Sequence, residues 1–243
     1  MKRLIKGAAN WFGLDKIPHQ PTPFEVQRRL LGEAQDDILI LDVGAHSGAV
    51  SRIYRDLFPK ATMYAFEPSP EAFKLLKRNF DGDRQFHAHQ IALCDSEGGA
   101  ELNINQSSFT NSLLPTDPDV PMVWRSAVTT EKTITTRTQT LDAFCNEHQI
   151  GSIDILKLDV QGVEKKVLAG AKHLLNRRAI KTVYLEMIVA PTYVGQGRPD
   201  EIFRLMHDGG LSLVDIYNVA KSGSLFLQFD ALFSCPGQIA ALR

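Results

Sequence analysis

Asp37-Ile38-Leu39-Ile40-Leu41-Asp42-Val43-Gly44-Ala45-His46-Ser47-Gly48 is the stretch on which the fold turns. Ile38 to Val43 is a near-continuous apolar run that stops at a glycine. A strand with one wet face alternates with period two, whereas a strand covered by helices on both faces does not, so the run reads as a strand of a parallel sheet. Ala49 to Phe58 then changes period: Val50, Ile53, Tyr54 and Leu57 recur at helical spacing, and Pro59 ends the segment. Strand, glycine turn and helix open a doubly wound sheet, whose ligands sit at the carboxyl ends of the strands.

The alternation continues outward. Ala61 to Phe66 reads as a second strand ending at Glu67-Pro68. Ser69 is a suitable N-cap and Pro70 a first helical residue for a helix to about Phe80. Phe86 to Leu93 reads as one third strand, Asp95 to Gly99 as a turn, and Ala100 to Asn105 as an added strand. Residues 106–126 are polar and aperiodic, and irregular stretches of that length in a compact domain are more often functional than accidental. Strands are expected at Val128 to Thr138, Ile153 to Leu158 and Ile180 to Met187, with a Thr140-capped helix and one continuous helix from Val163 to Asn176 between them. A helix from Pro199 to His207 and strands Leu211 to Tyr217 and Leu225 to Phe233 finish the chain. The expected fold is α/β: a doubly wound, mostly parallel sheet with an antiparallel C-terminal strand.

Composition narrows the function. The 243 residues are 44% hydrophobic, enough for one sizeable core. Lys+Arg 27 against Asp+Glu 28 leaves a net charge of -1, without the basic excess of a nucleic-acid binder. Cys94, Cys145 and Cys235 show no CxxC spacing, so a soluble protein of a reducing, cytoplasmic compartment is expected. The first 20 residues differ from the rest, with Lys2, Arg3, Lys6 and Lys16 beside Leu4, Ile5, Ala8, Trp11 and Phe12 on one helical face. Residues 1–37 therefore read as an amphipathic arm and linker before a body at 38–243. An arm docked on the core is favoured, and peripheral contact of residues 1–17 with the inner membrane surface is the rival reading.

The strand ends carry the chemistry. Gly44 and Gly48 let backbone approach a ligand at a helix start, but His46 and Ala49 break the dinucleotide fingerprint. Glu67 ends the second strand, 25 residues after Asp42, where an acid can take both hydroxyls of a ribose. A nucleoside-containing cofactor follows. His87 and His89 share a strand face, but no third ligand stands nearby, so no metal is expected.

At this point Asp42-Val-Gly-Ala-His-Ser-Gly48, Phe66-Glu67-Pro68, Thr140-Leu-Asp142, Lys157-Leu-Asp159-Val-Gln161-Gly162-Val-Glu164 and Leu168-Ala-Gly-Ala171 resemble FkbM-type methyltransferases over roughly residues 38–235. One departure is His46-Ser47, where many relatives carry Asn and a small apolar residue. The resemblance implies a class I, Rossmann-like fold and S-adenosyl-L-methionine as cofactor. It implies a cofactor site of Asp42, Gly44, Ala45, His46, Gly48, Glu67, Pro68, Ala92 and Asp159, with Glu67 on the ribose and Ala92-Leu93 beside the adenine. It also implies an oxygen acceptor: a hydroxyl on a carbohydrate, glycolipid or other small molecule, with no nucleic-acid partner.

A hydroxyl is a poor nucleophile, so a general base is expected within reach. Asp159, which ends a strand at the cleft, leads the candidates. Glu164 reads equally as base or as partner of a helix N-terminus. Glu186 ends a buried strand, where an acid needs a task or a partner. His46 titrates in the useful range. Lys157 reads as the structural partner of a neighbouring acid. Two rivals stay open: an NAD-type oxidoreductase on a similar sheet, and a non-catalytic cofactor-binding or membrane-associated interaction protein.

Overall fold

In the computed structural model, which describes residues 21–32 and 37–239, Leu39–Val43 forms strand β1 near the middle of a seven-stranded sheet. Its neighbours are β2 (Thr62–Phe66) and β7 (Ile153–Leu158), both parallel to it. Beyond β2 lies β3 (Phe86–His89), and beyond β7 lie β8 (Ile180–Ile188), β10 (Leu225–Ser234) and β9 (Ser212–Ser222). The first five of these strands are parallel, and β10 runs antiparallel to both β8 and β9.

The unbroken apolar runs follow from helices on both faces. Ile40, Met63 and Ile155 pack with Tyr54 and Phe58 from α2 (Ala49–Leu57) and its C-cap. Leu41, Val43, Leu156 and Leu158 face the other way. They meet α4 (Leu141–Glu147), α5 (Glu164–Ala169), α6 (Lys172–Asn176) and α7 (Pro199–Asp208) through Phe144, Val167, Leu174 and Met206. Helix α3 (Pro70–Asn79) covers the β2–β3 edge with Leu76. Apolar side chains emerge on both sides of each central strand, as the sequence demanded.

Three expectations need correction. The body begins before residue 38: Pro23–Leu31 is helix α1, opened by a Thr22–Glu25 capping box. Leu30 and Gln27 of α1 are fully buried, and the Gln27 amide oxygen accepts from the Tyr54 hydroxyl at 2.9 Å. The amphipathic segment 1–17 lies outside the described residues. The single third strand is two: after β3 the chain leaves the large sheet, and β4 (Ala92–Leu93) pairs instead with β6 (Thr130–Gln139). With β5 (Gly98–Asn105), β4 and β6 form a separate three-stranded sheet. The continuous helix from Val163 to Asn176 is also two, broken at Gly170-Ala171. A Cβ on Gly170 would collide with the Cys94 carbonyl oxygen. The Asp142 carboxylate then accepts the His173 and Leu174 N–H groups at 2.7 and 3.0 Å, restarting the helix as α6.

Candidate active site

The turn after β1 is held from below. Gly44 and Ala45 donate their N–H groups to the Phe66 carbonyl at 2.9 and 3.0 Å. Asp42 is fully buried and accepts from the Ser51 hydroxyl of α2 at 2.6 Å. Its register partner across the ladder is Lys157, whose Nζ stands 3.0 Å from Asp42 Oδ1 and donates to the Gly44 carbonyl at 2.8 Å. Burial lowers the Lys157 pKa, but Asp42 and Asp159 raise it more, so the ammonium holds its proton above the ordinary lysine range. Asp42 thus orders the turn from behind and does not itself line the cleft.

Packing requires both glycines of the turn. Gly44 has φ +76°, and a Cβ there would collide with the Asp159 carbonyl oxygen. Gly48 has φ +88°, and a Cβ there would run into Phe80 and Leu76 of the α3 region. Only Gly44 lines the cleft; Gly48 and Ala45 sit behind it, so their place is packing rather than close approach to a ligand.

Glu67 lines the cleft. It is 6% exposed, its Oε2 accepts the His46 N–H and its Oε1 the Ser69 N–H, each at 2.8 Å. Burial pushes its pKa up to about 7 against the pull of these two hydrogen bonds. His46 sits at φ 49°, stacked on Phe109 with ring centroids 4.2 Å apart, its Nε2 3.0 Å from the Ser108 hydroxyl. Burial, chiefly, holds the His46 pKa below the ordinary histidine value. Pro68, Ala92 and Asp159 complete the expected residues on this wall. Ile91 and Leu93 make an apolar side, and Phe109, Asn111 and Ser112 from the irregular 106–126 segment form a rim. The cleft encloses about 640 Å³, open mouth included.

The four candidate bases part company. The Asp159 side chain is 43% exposed, lies in the cleft and accepts from Gln161 Nε2 at 3.0 Å. Glu164 is buried, and its Oε1 accepts the N–H groups of Val160 and Gly162 at 3.0 and 3.3 Å. It lines neither this cleft nor the cavity around Glu186 and pins the β7–α5 loop; burial pushes its pKa to about 7. Glu186 is half-buried in a second cavity, accepting from Gln161 Nε2 and Gln228 Nε2, each at 2.7 Å. Burial, then the charges of Asp159, Glu164 and Asp230, raise its pKa. His46 lines the cleft at its rim.

The sequence reading missed Gln161 as a site residue. With φ 54° it stands between the two cavities, bridging Asp159 and Glu186, and its Oε1 lies 2.9 Å from the Tyr193 hydroxyl. The neighbouring Gly162 was the available signal; nothing in the sequence marked Tyr193 or Gln228. His89 stacks on Tyr64 and His87 packs tilted against it at the sheet edge, and no group of three or more metal-ligating side chains occurs among the described residues.

A parallel sheet ending in an antiparallel hairpin, with a glycine turn after β1 and an acid after β2, defines a class I, Rossmann-like methyltransferase fold. An rRNA methylase from Streptococcus thermophilus shares it, with a TM-score of 0.50 at 9% identity over 89% of this chain and 98% of that one. Residues 42–213 match the family described as "Methyltransferase FkbM domain", and the chain belongs to that family. It is an S-adenosylmethionine-dependent methyltransferase. Among its relatives, "2-O-methyltransferase NoeI" of Sinorhizobium fredii is 29% identical over 167 residues, 66% of this chain and 67% of that protein. "Hexuronic acid methyltransferase AglP" of Haloferax volcanii is 26% identical over 188 residues, 77% and 69% of the two chains. "31-O-demethyl-FK506 methyltransferase FkbM" of Streptomyces tacrolimicus is 25% identical over 196 residues, 72% and 73% of the two chains. The oxidoreductase and non-catalytic readings are not favoured by these relationships. No helix among the described residues is long and apolar enough to cross a membrane.

Proposed function

We propose that this chain methylates a hydroxyl oxygen on a carbohydrate or a related small molecule. The observation that carries the reading is Glu67: a buried carboxylate at the end of β2 whose oxygens are each engaged by one backbone N–H. Each oxygen keeps a lone pair, which suits the paired hydroxyls of a ribose. The residues fit S-adenosylmethionine: Glu67 for the ribose, Ile91-Ala92-Leu93 for the adenine, and Gly44 with Asp159 near the charged end. When bound, the cofactor supplies a sulfonium-activated methyl group and leaves as a neutral thioether.

The chain's own work is then alignment, charge and proton removal. Asp159 contributes a carboxylate beside the cation, held in place by Gln161 and by Lys157 at 3.9 Å. The acceptor hydroxyl gives its proton to a carboxylate of this end of the sheet, Asp159 or Glu186. An oxygen acceptor is supported by the names of the Sinorhizobium and Streptomyces relatives. Residues 1–17 suit, by sequence, contact with an anionic membrane surface, which co-sedimentation with anionic vesicles tests.

The main test is Asp159→Asn with two readouts. Turnover is expected to fall at least a hundredfold, while calorimetry still records S-adenosylhomocysteine binding. Absence of S-adenosylhomocysteine heat in the unaltered protein would overturn the reading.

A further inference from the structure

On the other side of Gln161 from the cofactor cleft lies a second cavity of about 500 Å³, mouth included, which shares Gln161 and Phe109 with it. Its polar lining has an uneven hydrogen-bond inventory. Thr110 donates its hydroxyl to the Ser107 and Ala127 carbonyls, and Thr192 donates its own to the Ala190 carbonyl. The Tyr193 hydroxyl lies 2.9 Å from both the Thr110 carbonyl oxygen and Gln161 Oε1. Gln161 Nε2 spends its protons on Asp159 and Glu186. What remains is lone pairs on the two Glu186 oxygens and on Gln228 Oε1, with the Trp124 indole N–H and one Gln228 N–H as the neutral donors beside them.

No Lys or Arg lines this cavity among the described residues. The cation nearest in the chemistry, Lys157, is committed to Asp42 and the Gly44 carbonyl behind the turn. Trp124, Tyr193 and Phe109 add aromatic surface suited to the C–H face of a saturated ring.

We infer that this cavity is the acceptor pocket and that it selects an uncharged, hydroxyl-rich sugar ring over its carboxylated counterpart. The inference rests on the methyltransferase reading of the adjoining cleft. Hydroxyls bring donors for the lone pairs of Glu186 and Gln228, and can accept from the Trp124 indole and the second Gln228 N–H in turn. A uronic acid brings an anion that accepts and never donates, into a site with no cation to pair it; burying it there is costly. The Haloferax relative carries a hexuronic acid in its name, so the two chains are assigned opposite choices. The hydroxyl oxygen next to Glu186 forms its new bond to the methyl carbon as the carbon–sulfur bond breaks. The electron pair of that bond stays on sulfur, and the hydroxyl proton passes to a Glu186 oxygen.

The test uses the full chain and matched probes: the methyl glycosides of glucose, galactose and mannose, and the corresponding uronates. Saturation-transfer NMR on the S-adenosylhomocysteine-loaded protein reads binding, and transfer of a radiolabelled methyl reads turnover. At least one neutral glycoside is expected to bind and to exceed its uronate at least tenfold. Equal or better response from the uronates, or no response from any neutral glycoside, overturns the inference. Glu186→Gln, which preserves shape and supplies N–H donors, is expected to narrow the binding ratio while turnover falls; an unchanged binding ratio with full turnover removes Glu186 from the argument. S-adenosylhomocysteine calorimetry run alongside separates the outcomes. Loss of that heat would fell the cofactor reading itself, whereas normal heat with a uronate preference fells the acceptor assignment alone.

Discussion

Lowering the pH from 8 to 6 should weaken binding of 5′-methylthioadenosine about tenfold, because the Glu67 carboxyl sits near neutrality. Its pKa is pushed up to about 7 by burial, with the His46 and Ser69 N–H groups pulling the other way. A carboxylate that accepts from both ribose hydroxyls must be ionised. The ionised fraction is roughly 0.9 at pH 8 and roughly 0.1 at pH 6, so apparent affinity falls by about one order, or about 1.4 kcal/mol. Methylthioadenosine carries the ribose without the titrating amino-acid end, so titration calorimetry reads Glu67 with little interference. Fold stability should move in the opposite direction. The folded state holds this proton to a higher pH than the unfolded chain, so Glu67 favours folding below the ordinary carboxyl range. That contribution is lost as pH rises toward 7. Binding strengthens over the window in which this part of the stability is lost. Glu67→Gln should bind weakly at every pH. A flat profile between pH 6 and 8, or a Glu67→Gln profile that parallels the unaltered protein, would refute the reasoning.

Gly44→Ala combines a left-handed backbone with a collision against the Asp159 carbonyl, and should cost on the order of 3–5 kcal/mol. An unchanged urea midpoint would remove the close approach from the explanation. Glu164→Ala leaves the Val160 and Gly162 N–H groups without their acceptor and should cost about 1–3 kcal/mol. Glu164→Gln should keep both fold and turnover, since its amide oxygen still accepts; abolished turnover in this variant would make Glu164 a base after all. Lys157→Met strands the buried Asp42 carboxylate and should cost about 3–5 kcal/mol. Pairing it with Asp42→Asn should recover part of that loss in chemical denaturation, and an additive double variant would argue against the ion pair.

Where a reading depended on local pattern, the sequence carried it. Ile38 to Val43 had to be covered on both sides, and Glu67 had to end a strand beside the glycine turn; both statements need only neighbours in the chain. Lys157 opposite Asp42 follows from parallel register once the two strands are adjacent. The split of β3 from β4 was not readable, because it depends on Thr138 and Gln139 as partners, far along the chain. Leu168-Ala-Gly-Ala171 suits a helix, and only the Cys94 carbonyl, from a distant loop, explains the break. Residues 21–32 read as part of a linker, although Thr22-Pro23-Phe24-Glu25 has the pattern that opens a helix. In the site, the left-handed Gln161 and its reach to Tyr193 and Gln228 needed three dimensions. Among the four candidate bases, geometry rather than residue type separates Glu164 from the others.

The split strand has one more consequence. Glu67 hangs from the large sheet, whereas Ala92 and Leu93 belong to the small one, so the two flanks of the cleft are carried by sheets that share no ladder. A nucleoside touching both acts as a dowel between separate leaves. Its presence is then felt one strand beyond the contact, as slower amide exchange at Thr138 and Gln139, whose ladder with β4 can no longer open on its own.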